Sequence, residues 1–99
     1  MHIVVNHIAL QDGVDWAQLE SEVEAFNQRV QREHPAFRGA SLVRESGGHA
    51  IFLVRFADLA SLQSISSEVA APWFSEHFKP LLTAPVDRHV GEIVAGDLR

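Results

Sequence analysis

The first ten residues alternate as an extended chain, and both of its sides are apolar. In IVVNHIAL (3–10), Val4, Ile8 and Leu10 share one face with Asn6, while Ile3, Val5 and Ala9 share the other with His7. Apolar side chains on both faces predict a strand covered on both sides. Asp12-Gly13 ends it. The period then lengthens to three and four: Trp16, Leu19, Val23, Phe26 and Val30 form one stripe, with Glu20, Glu22, Glu24, Gln28, Arg29 and Arg32 on the other sides. Asp15 stands as N-cap, with Gln18 three residues on. The spacing predicts a helix of about five turns, closed near His34 because Pro35 disfavours helical backbone before it.

Residues 37–46 and 49–57 read as two strands of a hairpin across Gly47-Gly48. A two-residue turn places Arg44 opposite Ile51 and Leu42 opposite Leu53 on one face. Val43 opposite Phe52, Ser41 opposite Val54, and Phe56 fall on the other. Arg44 and Arg55 then share a face, where they hold an anionic substrate or pair with Glu45, Glu92 or Asp58. Asp58 caps a second helix with the stripe Leu59, Leu62, Ile65 and Val69. Ala71-Pro72 interrupts it, and proline suits the first turn of a new helical piece over about 72–82. That piece carries two apolar rows, Trp73, His77 and Leu81, and Phe74, Phe78 and Leu82, with Pro80 distorting its end. Residues 86–95 form a last strand and 96–99 a polar tail.

The order β-α-β-β-α-β is the split βαβ, or ferredoxin-like, arrangement, an α+β fold with a four-stranded antiparallel sheet. Right-handed crossovers put both helices on one face. The length allows one domain, 1–99, and no spare segment to cover the other face. The second apolar face therefore predicts a homodimer packed sheet against sheet.

Composition narrows the function. The formal charge is −5 and the 8 Lys and Arg are scattered, which argues against nucleic acid as a partner. The chain has no cysteine, so disulfides, thiolate metal sites and cysteine nucleophiles are excluded, in keeping with a cytoplasmic protein. The N-terminus MHIVVNHIAL lacks the features of a signal peptide, and no apolar run reaches membrane-spanning length. The histidines have no dense ligand spacing, so no metal site is expected; the alternative is a metal held by His7 and His89 with Glu92 or Asp87, since pairing of the first and last strands brings the two histidines together. Neither a P-loop nor a dinucleotide glycine motif is present.

VVNHIAL at the start, HPAFRGASLVRE entering the hairpin, IFLVRFADLASL after it and SEHFKPLL in the last helix together resemble the antibiotic biosynthesis monooxygenase family of dimeric α+β barrels. The resemblance runs over most of the chain. It implies a homodimer with a cavity between helices and sheet in each subunit. It also implies an activity among cofactor-free oxygenases of aromatic polyketides, quinol oxygenases or heme-degrading oxygenases; other members have no assigned activity. Asn6 matches an active-site asparagine in the first strand of the heme-degrading branch. His77 falls where the family commonly has histidine, an iron ligand in that branch and a candidate general base elsewhere. Ser66 and Ser67 stand near the position where the heme-degrading branch has tryptophan, and Phe56 where many members have tryptophan, which argues against heme degradation.

The expectation is thus a homodimeric, cofactor-independent monooxygenase for a small aromatic or quinol-like molecule. His77 deprotonates the substrate, Asn6 orients it, and Phe26, Trp73, Phe74 and Phe78 form the apolar walls. Two alternatives stand beside it. One is a non-catalytic ligand-binding or stress-related dimer, with Asn6 satisfied by its neighbours and His77 on the helix surface. The other is heme binding through His77.

Overall fold

A computed structural model describes residues 1–96; of the expected polar tail, 97–99 lie outside the described residues. The elements are β1 (His2–Ala9), α1 (Trp16–Glu33), β2 (Phe37–Arg44), β3 (His49–Phe56), α2 (Leu59–Ile65), α3 (Ala71–His77) and β4 (Asp87–Glu92). The strands form one antiparallel sheet in the order β2-β3-β1-β4, the ferredoxin-like arrangement expected from the element order.

Burial alternates along the central strands as their sequence alternates. Val4, Asn6 and Ile8 of β1 and Phe52, Val54 and Phe56 of β3 are buried on the face that carries the helices. The stripe of α1 packs there through Leu19, Val23, Phe26 and Val30. Asp15 accepts a hydrogen bond from the Gln18 backbone N–H, and Asp58 one from that of Ser61, so both expected N-caps form. On the opposite face Ile3, Val5, Ile51 and Leu53 are only half-buried, and Val43 is 45% exposed.

The hairpin register differs from the expectation by one residue. Glu45 donates its N–H to His49 O at 2.9 Å, which closes a loop of three residues, Ser46–Gly48, rather than two. Leu42 therefore lies opposite Phe52, Val43 opposite Ile51, Ser41 opposite Leu53 and Arg44 opposite Ala50. The loop is fixed by its neighbours: Leu10 donates to Gly48 O at 2.8 Å, and a Cβ at Gly48, whose φ is +78°, would lie 3.2 Å from Leu10 O. A slip of one residue exchanges faces. Arg44 consequently turns to the helix side, where its guanidinium sits 4.6 Å from the centre of the Trp16 ring. Arg55, paired with Ile3, belongs to the opposite face. The two arginines do not share a face.

The second helical region also differs. It is continuous past Ala71-Pro72, with a π turn at Ser66–Ala70 joining α2 to α3. The strand expected over 86–95 is shorter, Asp87–Glu92, and is exposed along its whole length.

Candidate functional site

The helical region from α2 to α3 roofs a cavity of about 550 Å³ over the sheet, within the usual size of small-molecule pockets. The floor comes from Val4 and Asn6 on β1, Phe52 and Val54 on β3, and Arg88 and Val90 on β4. Leu59, Leu62, Gln63, Ser66, Ser67, Ala70, Ala71, Phe74 and Ser75 make the roof, and Val86 lies at the entry to β4.

Asn6 is the buried polar residue of this floor, 8% exposed. Its Nδ2 donates to Phe52 O at 3.1 Å. A carbonyl only accepts, so the bond engages one N–H and leaves the second N–H and Oδ1 for a molecule in the cavity. Arg88 is the register partner of Asn6 across β1 and β4. Among the described residues no Asp, Glu, His or Lys lines the cavity, and Arg88 is the one charged side chain there. The site thus places a buried amide next in register to an exposed cation on the edge strand, beside a largely apolar lining, in a chain whose formal charge is −5. Phe74 forms the aromatic part of the roof, 6.1 Å from Phe52 and stacked on Phe78 at 5.3 Å between ring centres.

His77 is elsewhere. Its Nδ1 lies 3.2 Å from Glu22 Oε2, and its ring leans on Trp73 at 4.9 Å. Both rings line a separate crevice between α1 and α3, together with Phe26, Arg29, Glu33, Glu68 and Glu76. The common site expected for Asn6 and His77 is therefore not formed within this chain. Of the expected wall residues, Phe74 lines the Asn6 cavity, Phe26 and Trp73 line the crevice, and Phe78 is fully buried core. The cause is helical geometry. Positions 73 and 77 make one row and 74 and 78 the next; the first leans on α1 through Phe26 and Glu22, with Trp73 also reaching Phe52, and the second lies over the sheet.

Sequence reasoning missed Arg88, Gln63 and Ser66. Arg88 was within reach, because alternation along 86–95 and pairing of the first and last strands place one residue of the pair beside Asn6. Gln63 carried no signal beyond being polar on a helix, and Ser66 entered only as a departure from the tryptophan of the heme-degrading branch.

The arrangement does not fit a heme held by His77 with Asn6 on the same ligand, because the two residues open on different cavities. The His77 crevice also carries four carboxylates, unfavourable for heme propionates. Among the described residues no group of three His, Cys, Asp or Glu is arranged to hold a metal ion. His7 and His89 do approach each other, with ring centres 5.9 Å apart on the face away from the helices. No helix among the described residues is long and apolar enough to cross a membrane.

Fold and cavity together define a ferredoxin-like α+β protein with a chamber between sheet and second helical region. No family model matches the chain, and no curated protein matches it. Solved structures do share its fold. A protein from Caulobacter crescentus with the provisional name antibiotic biosynthesis monooxygenase superposes with a TM-score of 0.74 at 16% identity, covering 95% of this chain and 90% of its own. SnoaB from Streptomyces nogalater, a cofactor-independent oxygenase solved as a point mutant, gives 0.71 at 13% identity, with coverage of 96% and 94%. Rv0793 from Mycobacterium tuberculosis gives 0.72 at 18% identity, covering 96% of each chain. The chain has the fold of the proteins named antibiotic biosynthesis monooxygenases. At these identities the likeness carries the fold, and function rests on the site.

Proposed function

We propose that this chain is a small homodimeric, cofactor-independent monooxygenase that acts on an aromatic or quinol-like molecule in the Asn6–Arg88 cavity. The observation that carries this reading is a largely apolar chamber whose one charged lining residue among the described ones, Arg88, stands across from a buried amide on the neighbouring strand. Such a pair favours a substrate that becomes an anion. An activated ring CH₂ or phenol loses a proton to water, since no carboxylate, imidazole or amine is among the lining residues. The Arg88 guanidinium stabilises the resulting carbanion or phenolate, and Asn6 orients its oxygen. The anion passes an electron to dioxygen, the radical pair combines to a C–O bond, and the peroxide takes back a proton to give a hydroperoxide; loss of the remaining C–H proton then forms the C=O, breaks the O–O bond and releases the distal oxygen as water. For a ring CH₂ the balance is one CH₂ and one O₂ giving one C=O and one H₂O. The likeness to a cofactor-independent oxygenase supports this class of chemistry.

The half-buried apolar face of Ile3, Val5, Ile51 and Leu53 supports the dimeric part of the reading. A second reading, a non-catalytic binding protein, is favoured by the same lining, which offers no side chain to move a proton. Oxygen uptake separates the two. With anthrone as substrate, the monooxygenase consumes oxygen above the buffer rate and loses that excess in Asn6→Ala and Arg88→Ala. Anthrone binding without oxygen uptake establishes the binding protein instead.

A further inference from the structure

The roof of the cavity is interrupted where it is thinnest in side chains. At the π turn the Ala71 N–H reaches Ser66 O, five residues back. Pro72 gives the reason: it has no N–H, and in an α-helix its ring collides with the carbonyl four residues earlier, that of Glu68. A wider turn ahead of it accommodates the ring. Ser67 braces the turn, its one hydroxyl hydrogen shared between Gln63 O at 3.0 Å and Ser64 O at 3.2 Å.

The turn and the residue after it present Ser66, Ser67, Ala70 and Ala71 to the cavity, between the larger Leu62 and Phe74. None of the four has more than two side-chain heavy atoms. Below them Phe52 and Val54 are buried in a central strand paired on both sides. Over this part of the floor the height of the chamber is set by the turn.

We infer that the π turn is the size filter of the cavity. Ser66 and Ala70 are specificity-determining residues that admit a fused polycyclic aromatic anion, and Ser67 is a positioning residue that holds the turn open. This inference rests on the reading of the Asn6–Arg88 cavity as a ligand site. A larger side chain at the turn lowers the roof and excludes large ring systems while small ones still enter. Loss of the Ser67 hydroxyl acts in the same direction through the turn.

Fluorescence titration of the full chain with two aromatic carboxylates, 2-naphthoate and pyrene-1-carboxylate, tests it. Wild type binds both. Ser66→Leu weakens pyrene-1-carboxylate by about tenfold or more and leaves 2-naphthoate within about threefold. Ser67→Ala shifts the same ratio, and Ser67→Thr, which keeps a hydroxyl, restores it. If wild type binds both probes and Ser66→Leu changes them equally or not at all, the size filter is wrong while the cavity reading stands. If wild type binds neither, the cavity reading fails and the filter with it. Should Ser67→Ala not fold, Ser66→Leu alone still decides, because it leaves the brace in place.

Discussion

Asn6 and Phe52 face each other across β1 and β3, and the Asn6 side chain donates to the Phe52 carbonyl at 3.1 Å. The bond orients the amide in the cavity floor and satisfies part of its buried polarity. Asn6→Ala removes it at a cost of about 1 kcal/mol of stability, read from urea denaturation, and also removes the amide from the ligand. Asn6→Asp is the sharper variant. An ionised carboxylate has no N–H for the Phe52 carbonyl, whereas a protonated one donates. The variant is therefore expected to lose more stability than Asn6→Ala at neutral pH and to recover part of it as the pH falls. An Asn6→Asp protein as stable as wild type at neutral pH would show that the bond does not orient Asn6.

Arg88 and His77 separate two sites that the sequence merged. Arg88 is exposed on an edge strand, so Arg88→Ala should change stability by no more than about 0.5 kcal/mol while weakening 2-naphthoate clearly. His77→Ala loses a partly exposed contact with Glu22, worth about 0.2–1 kcal/mol, and leaves 2-naphthoate affinity unchanged. Addition of hemin should give no Soret shift that depends on His77. If His77→Ala and not Arg88→Ala abolished probe binding, the site would belong in the crevice between α1 and α3.

The fold was legible because each element carries its own period. Val4, Asn6 and Ile8 alternate, Leu19, Val23, Phe26 and Val30 repeat at helical spacing, and Asp15 and Asp58 mark the helix starts they cap. What was not legible depends on partners distant in the chain. The three-residue hairpin loop is fixed by Leu10 against Gly48, a contact that no local pattern contains, and the misplaced register carried Arg44 to the wrong face. The site was half legible for a related reason. Asn6 stands out as an amide in an apolar strand. His77 and Phe74 are near in sequence, but helical rotation sends them to different cavities. The π turn leaves the Ala71-Pro72 signal intact and changes its meaning from a break to a widening.

Asn27 on α1 holds the edge strand in place. Its Nδ2 donates to Ala40 O at 2.8 Å and its Oδ1 accepts from Ala40 N at 2.6 Å, so one side chain serves both backbone groups just beyond the bulge between Phe37 and Gly39. Asn27→Ala removes both bonds and should cost about 1–3 kcal/mol. Asn27→Asp keeps the acceptor and places a carboxylate against the Ala40 carbonyl, and should be no better. Amide hydrogen exchange at Ala40 reads the effect locally: it should be faster in Asn27→Ala, which loses the acceptor of the Ala40 N–H, and little changed in Asn27→Asp, which keeps it. Unchanged exchange at Ala40 in Asn27→Ala would remove Asn27 from this role.

The cap of α2 gives the cavity roof a pH dependence. Hydrogen bonding from Ser61, first its backbone N–H and then its side chain, holds the Asp58 carboxyl below the usual carboxylate range. A depressed folded value means that Asp58 contributes its stability in full above the ordinary aspartate range. That contribution is lost as the pH falls through the folded value. Asp58→Asn keeps an N-capping side chain and removes the titration. Urea midpoints measured from neutral to acid pH should therefore fall more steeply for wild type than for Asp58→Asn. Parallel curves would show that Asp58 titrates alike in the folded and unfolded chain.

Val5 and Leu53 are register partners at the middle of the sheet face that carries no helix. Both are half-buried, and with Ile3 and Ile51 they form an apolar surface on the two central strands. A second copy laid on it buries this surface on both partners through one two-fold axis. The wild-type chain is then expected to sediment at twice its mass of 11.0 kDa. Leu53→Glu places a carboxylate opposite Val5 and, by symmetry, a second one from the partner close by, which a dry interface cannot hold. This variant should sediment as a monomer and keep its affinity for 2-naphthoate, because Leu53 points away from the cavity side of β3. Wild type that stays at 11.0 kDa at every concentration would overturn the dimer. A Leu53→Glu protein that remains dimeric would move the interface to another face.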